Sequence, residues 1–443
     1  MIQDIQAMGP LISDCTLAGD TKADDVFPAH PNGIPVSQRR WVIVYATRGY
    51  RFMDDDRSIV WQLRQDAPDG PVLKEGFFSQ AVGGWNPKGG DRTYFKQHGH
   101  PVLFGVPKGA CIRGKGLPHD NLFVAKWRVI GIPETTLRYT EINDTIGVEW
   151  LQFRLNDRED DLEIVEPARP LRQKGCERGA DYCSPKAGAP PLWMNQTFVQ
   201  AVPCNDDATE WADVNSFEGG RIAALRYRYH PGSRRYEWVE TGPMAGGGEI
   251  GLFEASLLRG GAGWVIAARC RKNGKRQKGS AWLPTDDPFA SVPAPIYTDV
   301  PQSDTPIPVY RCADGVIRLF ANDHSLSAPP RGNRNPLRCW DIDPATFAAS
   351  NQRVIYDTFA AGLPLSAECN PGVDMAKLLP HLGGRVQYLV HRLRTSAVDL
   401  TIPLSDQPVL RKVLATPREK QCVGVYYEKL TYTESFPAAW SFE

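Results

Sequence analysis

Short β-branched or aromatic segments, separated by turn signals, recur along the whole chain and constrain its fold more than any other feature. The intervening turns, such as those at 68–70, 230–233, 272–274 and 313–315, are rich in Gly, Pro, Asp and Asn. Turns of this kind join neighbouring strands as antiparallel hairpins, so a succession of meanders is predicted. The strand-like segments are 41–48, 58–64, 122–129, 148–155, 198–202, 222–229, 264–269, 316–320, 386–390 and 423–428.

These meanders are expected to stand as blades around one axis, where each sheet edge stays short and protected. The content of 40 Gly, 37 Pro and 44 aromatic residues agrees with many strands and turns. The two most helix-compatible segments, 344–350 and 375–380, are short and flanked by breakers, so they are expected to be connections. The sequence therefore predicts an all-β chain, a β-propeller forming a single domain over 1–443, with a loop insertion at 167–192.

The charge balance of the chain excludes several classes of partner. Lys and Arg together number 51, as do Asp and Glu, so the formal net charge is zero. Such a chain lacks the basic surface that nucleic-acid binding needs, and it has no basic tail to attract a membrane. The N-terminal segment has no basic region followed by an apolar run, and no segment reaches the roughly 18 apolar residues of a membrane span. We expect no nucleic-acid or membrane partner, and a cytoplasmic protein as written, or a secreted or periplasmic one if an export signal has been removed.

The cysteines and histidines do not form a recognisable metal motif. The ten cysteines lack any repeated CxxC, which argues against zinc. Cys176 and Cys183 are near enough in sequence for a local disulfide, which would indicate an oxidising compartment. His98 and His100 alternate along the chain but have no defined third ligand. We expect neither a metal nor a cofactor.

Glu254 and Arg269 form the most distinctive local pattern. They are 15 positions apart on two strand-like segments joined by a Gly-rich turn. A tight hairpin would bring the two side chains to the same face, where their charged groups converge. A guanidinium binds carboxylates in a fork, so the pair could hold an acidic substrate, the glutamate could steady the arginine, or the two could form a plain salt bridge between strands.

Three segments resemble the sialidase family, and they occur in the family's order. The segment from Glu254 to Arg269 is similar to the sialidase pattern of a glutamate strand, a turn and an arginine strand. The segment 314–323, followed by Arg334, is similar to the part that supplies a further carboxylate-binding arginine. Upstream, Arg48 followed by 54–60 resembles the first-blade region. The resemblance extends from about residue 32 to residue 428.

The resemblance implies a six-bladed propeller of four-stranded antiparallel blades, whose axial mouth binds a sugar carrying a carboxylate. Arg269 and Arg334 would clamp that carboxylate, and Arg48 would be a further clamp or would support one. Glu254 would orient an arginine or act as a base. Asp54 or Asp55 would be the acid that assists the leaving oxygen.

The chain departs from the sialidase pattern in two places. The family's first clamp arginine is missing where the sequence reads His30-Pro-Asn32-Gly-Ile-Pro. His30 and Asn32 are therefore substrate-binding candidates in its place. The segment 366–377, where the family has its tyrosine nucleophile, contains no tyrosine, so Tyr388, Tyr426 or Tyr427 would supply the phenol from another strand, or water would attack directly.

The sequence thus predicts an exo-glycoside hydrolase that releases a terminal acidic sugar, sialic acid or a related nonulosonic acid, from glycans. The partner would be a glycan with a carboxylate-bearing terminal sugar, and the oligomeric state stays open. One alternative is a uronic-acid polysaccharide lyase, with His30, His100, His119 or Tyr388 as the base. The other alternative is a carbohydrate-binding propeller without turnover.

Overall fold

The architecture was obtained as a computed structural model of the 443-residue chain. It describes residues 1–12, 26–49, 56–79, 82–84, 93–106, 110–112, 115–116, 121–133, 144–172, 181–182, 192–196, 199–260, 263–272, 275–276, 280–298, 300, 305–323, 334–363, 371–394, 412, 415–417, 423–438 and 440–442.

The first half of the described chain forms three antiparallel blades. The N-terminal strand is β1 (Ile2–Ile12). Blade 1 contains β2 (Val26–Ser37), β3 (Arg40–Gly49), β4 (Asp56–Gln65) and β5 (Val72–Ser79). Blade 2 contains β6 (Val82–Gly84), β7 (Thr93–Val106), β10 (Leu122–Pro133), β11 (Asp144–Leu155) and β12 (Leu162–Pro170), with β8 (Ala110–Ile112) and β9 (Lys115–Gly116) between β7 and β10 in the chain. Blade 3 contains β13 (Asp181–Tyr182), β14 (Leu192–Gln196), β15 (Val202–Pro203), β16 (Glu210–Phe217), β17 (Arg221–His230), β18 (Arg235–Thr241) and β19 (Ala245–Gly246).

The second half forms three more blades, which gives the six-bladed propeller implied by the sequence. Blade 4 contains β20 (Ile250–Gly260), β21 (Gly263–Lys272), β22 (Lys275–Arg276), β23 (Ser280–Thr285) and β24 (Ile296–Thr298). Blade 5 contains β25 (Val309–Arg311), β26 (Ile317–Asn322), β27 (Leu337–Ile342) and β28 (Ala349–Tyr356). Blade 6 contains β29 (Gly372–Leu378), β30 (Gly384–Arg394) and β31 (Gly424–Phe436). The last strand, β32 (Trp440–Phe442), pairs with β8.

The N-terminal strand closes the ring. Sheet order in blade 6 is β1-β31-β30-β29, so β1 is the outermost strand of the last blade. Its register sets Ile5 opposite Leu430, and the backbone N–H of Thr433 donates to the carbonyl of Met1 at 3.0 Å. Pairing of β1 covers the outer edge of β31 and brings the two ends of the described chain together in one blade.

The core lies between neighbouring blades, where large aromatic side chains contact one another. The Phe104 ring of blade 2 stands 4.8 Å from the Tyr227 ring and 5.9 Å from the Trp211 ring of blade 3. Between blades 4 and 5, the Trp282 and Phe347 rings are stacked 5.0 Å apart. Aromatic pairs at such distances add to the hydrophobic gain of burial and hold adjacent blades in a fixed orientation.

Nine of the ten predicted strand segments coincide with strands, apart from a residue at the start of some of them. The tenth is 198–202, of which residues 199–202 are described, and among these only Val202 is in a strand, the short β15. The interpretation of 375–380 as a connection is wrong, because 375–378 belongs to the buried strand β29. Of the insertion expected at 167–192, residues 167–170 complete β12, while 173–180 and 183–191 lie outside the described residues, as do Cys176 and Cys183.

Candidate functional site

The innermost strands of three blades are interrupted at one level of the propeller axis. Each has a register shift against its neighbour, and each shift contains a residue with positive φ: His30 in β2, Glu254 in β20 and Met375 in β29. The three φ angles are 51°, 48° and 60°, values that non-glycine residues adopt at a cost of about 1–3 kcal/mol. A bulge turns a side chain away from the regular alternation, so these three bulges mark the place where side chains are redirected.

Asp374, next to the bulge in β29, lies among three arginines. Arg392 on β30 contacts it with two nitrogens, at 2.7 Å from Nε to Oδ1 and at 3.0 Å from Nη2 to Oδ2. Arg394 Nε lies 3.5 Å from Oδ2, and Arg334 donates to the same oxygen through Nη1. Burial alone would raise the pKa of Asp374, but the charges of Arg392, Arg334 and Arg394 hold it well below its usual value. The carboxylate is therefore ionised and bound at neutral pH.

His30 completes this group from blade 1. Its Nε2 lies 2.8 Å from Nη1 of Arg392, and the side chain is fully buried. A guanidinium can only donate, so Nε2 accepts the hydrogen bond and the ring is neutral with its proton on Nδ1. The contact uses the lone pair that a catalytic base would need, and it ties the first blade to the last at the axis.

Glu254 and Arg269 meet as the hairpin geometry predicted. Arg269 Nη1 donates to Glu254 Oε2 at 2.7 Å, and each side chain keeps 12% of its surface exposed. The backbone N–H of Glu254 donates to Ser216 Oγ of blade 3 at 3.3 Å, which fixes the bulge against the neighbouring blade. The Glu254 carboxylate and the Arg269 guanidinium are therefore held in place, while part of each side chain stays accessible to a ligand.

Lys377 joins the two groups and was not identified from the sequence. Its Nζ donates to the backbone carbonyl of Val199 at 3.4 Å, and only 1% of the residue is exposed. Burial lowers the pKa of Lys377 to about 7, although the charge of Glu254 acts to raise it. The Lys377 side chain thus faces Glu254 from blade 6. Near neutral pH it exchanges between the charged ammonium and the neutral amine.

We call this assembly the axial charge cluster. It combines the side chains around Asp374 with those around Glu254, and cations outnumber carboxylates. Its members are His30, Glu254, Arg269, Arg334, Asp374, Lys377, Arg392 and Arg394. Five of them are Arg or Lys and two are carboxylates, so the cluster has an excess of positive charge, which is larger when Lys377 is protonated. An arrangement of this kind attracts anions.

The remaining predicted site residues lie elsewhere or outside the described part. Asn32 donates from Nδ2 to the Pro101 carbonyl at 2.8 Å and accepts from the Gly33 N–H at 2.9 Å, so both ends of its amide hold backbone. Asp54 and Asp55 lie outside the described residues, and for Arg48 only the backbone, in β3, is described. Their predicted roles stay predictions.

The tyrosines proposed as nucleophiles contact other groups. The Tyr388 ring is stacked 6.3 Å from that of Tyr427, and Tyr427 donates to Asp69 at 3.1 Å. Burial raises the pKa of Tyr388 above its usual value, and Asp69 adds to the shift, so its phenol is protonated at neutral pH. Tyr426 packs beside His391 instead. The placement of these phenols gives no support to a nucleophile at the axial charge cluster.

Neither a metal-binding group nor a membrane-spanning helix is found among the described residues. No group of three or more His, Cys, Asp or Glu side chains in this part of the chain could hold a metal ion. The side chains of His98 and His100 are outside it. Among the described residues, none of the helices is both long enough and apolar enough to cross a membrane.

Comparison with known proteins supports the fold. No protein family and no curated protein sequence matches the chain. A solved structure of a protein of unknown function from Dyadobacter fermentans DSM 18053 is similar over 97% of this chain and 100% of its own, with a TM-score of 0.54 and 10% identity. Trypanosoma rangeli sialidase is similar over 84% of this chain (TM-score 0.47, 11% identity), which spans about half, 53%, of the sialidase.

A third similar structure is the α-L-arabinanase of Penicillium chrysogenum, with a TM-score of 0.43 and 10% identity over 96% of this chain and 98% of that one. At these identities the likeness concerns the fold alone. The six-bladed, all-β propeller implied by the sequence is confirmed by the sheet topology.

Proposed function

We propose that the protein is a sialidase-like exo-glycoside hydrolase that releases a terminal acidic sugar from glycans. The observation that carries the proposal is the Arg269–Glu254 pair at the axis, partly exposed and set within an excess of positive charge. Arg269 donates from Nη1 to Glu254 Oε2 at 2.7 Å, and 12% of its side chain is exposed. The exposed part of the guanidinium would bind a sugar carboxylate, while Glu254 keeps it correctly oriented.

Further residues would bind the sugar or transfer protons during hydrolysis. Arg334, with 18% of its side chain exposed, reaches the cluster from blade 5 and would add positive charge next to the sugar carboxylate. Asp54 or Asp55 would protonate the leaving oxygen. Glu254 would activate water or orient Arg269. Lys377 would add or remove a positive charge beside Glu254 as Lys377 gains or loses its proton.

A second candidate function, carbohydrate binding without turnover, is favoured by the position of Asp374. This side chain already occupies the three arginines Arg334, Arg392 and Arg394, as a bound carboxylate would. The described cluster also contains no tyrosine. Both features suit a site that recognises an anionic sugar without forming a covalent intermediate. The lyase alternative is less favoured, because His30 gives its Nε2 lone pair to Arg392.

The decisive experiment is a product analysis by NMR with a panel of sialosides and glucuronides. Hydrolysis yields the released acidic sugar and reports the anomeric outcome, whereas elimination yields an unsaturated sugar. Arg269→Ala should lower kcat/KM by on the order of 10²-fold or more, because the carboxylate clamp is lost. Arg154→Ala, which removes an exposed arginine paired with Glu163 on blade 2, is the matched control and should leave turnover unchanged. Turnover by Arg269→Ala at the wild-type rate would refute the clamp, and saturable binding without product would select the binding function.

A further inference from the structure

A second site lies farther along the propeller, where the innermost strands of blades 3 to 6 end. A cavity of about 340 Å³ opens there, lined by residues at or near the ends of those strands: Pro203, Arg259, Arg311 and Leu378. Cavities of this size accommodate small organic molecules. We call it the distal cavity. Along β20, Arg259 is five residues beyond Glu254, which corresponds to roughly 15 Å, and none of the residues Glu254, Arg269 and Asp374 lines the cavity.

The walls of the distal cavity are mainly apolar and aromatic. Trp211 of blade 3 and Trp440 of β32 approach each other edge to face, with ring centroids 5.9 Å apart, and both line the space. Leu258 and Tyr310 contribute further buried apolar surface. Aromatic walls of this kind suit a flat apolar body, which gains from leaving water and from ring contacts.

Two cationic side chains, Arg259 and Arg311, stand at one side of the distal cavity. Arg311 donates to the Gly315 carbonyl at 2.9 Å, and Arg259 donates to the Pro203 carbonyl at 3.4 Å. Neither guanidinium makes an ion pair within the described residues, and no acidic residue lines the cavity. Arg311 Nη2 lies 3.4 Å from the position that a β-carbon on Gly260 would take, so its guanidinium lies against the residue next to Arg259. The two positive charges are thus gathered on neighbouring blades.

A buried histidine forms part of another wall. His381 is 5% exposed and lines the distal cavity, and its buried Nε2 has no hydrogen-bond partner among the described residues. Burial lowers the pKa of His381, although the backbone of Gly384 and of Pro437 acts to raise it. A buried polar nitrogen without a partner is costly, so this wall of the cavity is held at a cost in stability. By contrast, Gln387 is already satisfied, because it binds the Ala313 N–H and the Leu379 carbonyl.

We propose that the distal cavity binds a small organic anion with a flat apolar body. The body would lie against Trp211, Trp440 and Leu258 at the cavity wall, and the anionic head would meet Arg259 and Arg311. This site is separate from the proposed glycoside site and does not depend on glycoside turnover.

The test uses 1-anilinonaphthalene-8-sulfonate, an aromatic sulfonate, and its uncharged relative N-phenyl-1-naphthylamine, each titrated into the full chain and followed by fluorescence. The sulfonate should bind saturably, one per chain, with energy transfer from tryptophan that decreases in Trp440→Phe. The double variant Arg259→Gln/Arg311→Gln should weaken sulfonate binding at least about tenfold, because two charge-assisted contacts are lost. The uncharged probe should bind both proteins equally.

Two controls keep the outcome decisive. Arg154→Gln removes an exposed arginine remote from the cavity and should leave both titrations unchanged, and thermal unfolding confirms that each variant is folded. Leu258→Trp fills the cavity and should weaken both probes. The proposal is overturned if the double arginine variant, folded as the wild type is, binds the sulfonate equally well. It is also overturned if binding is not saturable or shows no energy transfer.

Discussion

Arg392 binds Asp374 through two nitrogens, at 2.7 Å from Nε to Oδ1 and at 3.0 Å from Nη2 to Oδ2, and both side chains are almost fully buried. The two residues are directly opposite in the register of β29 and β30. Arg392 also donates to His30, so one guanidinium connects the innermost strands of the first and last blades. The ring of blades is thus held at its axis by a charged contact, in addition to the strand pairing at its rim.

Asp374→Asn should destabilise the protein. The substitution keeps the side chain's shape but leaves Arg392 and its neighbours without their carboxylate, and breaking a buried ion pair in this way costs about 3–5 kcal/mol. The measurement is the free energy of unfolding from a denaturant titration at pH 7. Asp157→Asn, an exposed aspartate on the turn after β11, is the control and should change stability by no more than about 0.5 kcal/mol. A change of similar size in both variants would contradict the role assigned to Asp374.

The stabilisation from Asp374 should disappear in acid. Because the folded-state pKa of Asp374 is depressed, its contribution is fully present above the unfolded-state pKa of about 3.9 and is lost as the pH falls towards the folded value. The difference in unfolding free energy between wild type and Asp374→Asn should therefore be constant from pH 7 to about pH 5 and should narrow below about pH 4. A difference that stays constant down to pH 2 would show that the carboxylate is not bound as described.

Replacing both partners of a second buried ion pair by apolar residues should recover part of the stability that is lost when only one partner is replaced. Lys126 on β10 pairs with Asp213 on β16, and its Nζ also donates to Tyr227 Oη at 2.8 Å. Lys126→Met should cost about 3–5 kcal/mol, because Asp213 is left buried without its cation. Lys126→Met/Asp213→Leu should recover part of that loss, since no charge is then buried. Denaturant unfolding of the wild type, of Lys126→Met, of Asp213→Leu and of the double variant measures the coupling, and additive losses would contradict a direct interaction.

The strands were predictable because their signals are local. Alternating apolar segments between Gly and Pro turns fix hairpins over about ten residues, and the Glu254–Arg269 contact follows from one such hairpin. The strand β29 was missed because all seven of its residues are buried, including Asp374 and Lys377, so it shows no alternation of apolar and polar positions. Its Met-Ala-Lys-Leu sequence is also typical of a helix.

The axial charge cluster was only partly predictable, since it depends on contacts between distant blades. His30 and Arg392 are 362 positions apart, and only closure of the ring brings them together. One signal did exist: Arg392 and Arg394 alternate on a strand that follows Asp374, the same order of acid and arginine as in Glu254 and Arg269. The sequence assigned Arg334 to the substrate, but the pairing of Arg334 with Asp374 could be seen only in three dimensions.

Glu254→Gln should separate binding from turnover. The amide can still accept a hydrogen bond from Arg269, but it removes a negative charge next to the proposed sugar carboxylate. We expect kcat on an acidic glycoside to fall by about 10²-fold, with KM unchanged or lower, because less repulsion opposes the substrate. Steady-state kinetics gives both values, and calorimetry gives the affinity if no turnover is found. Glu163→Gln, in the exposed pair with Arg154, is the control; a raised KM with unchanged kcat in Glu254→Gln would reverse the assignment.

Lys377 should make the stability of the protein depend on pH in the alkaline range. Its folded-state pKa is about 7, whereas an unfolded lysine has a pKa of about 10.4. Between those values the unfolded chain binds more protons than the folded one, so the free energy of unfolding rises with pH. Relative to Lys377→Met, the wild type should gain on the order of a few kcal/mol from pH 7 to pH 10.

Denaturant titrations at several pH values measure this gain, and Lys272→Met, at an exposed lysine on blade 4, serves as the control whose curve should stay parallel to the wild type. Glu254→Gln should enlarge the gain, because the carboxylate acts to raise the pKa of Lys377 and its removal lowers that pKa further. Parallel curves for wild type and Lys377→Met would show that Lys377 keeps the ordinary pKa of a solvated lysine. In that case its ammonium would add a permanent positive charge beside Glu254 and could not exchange protons with the site near neutral pH.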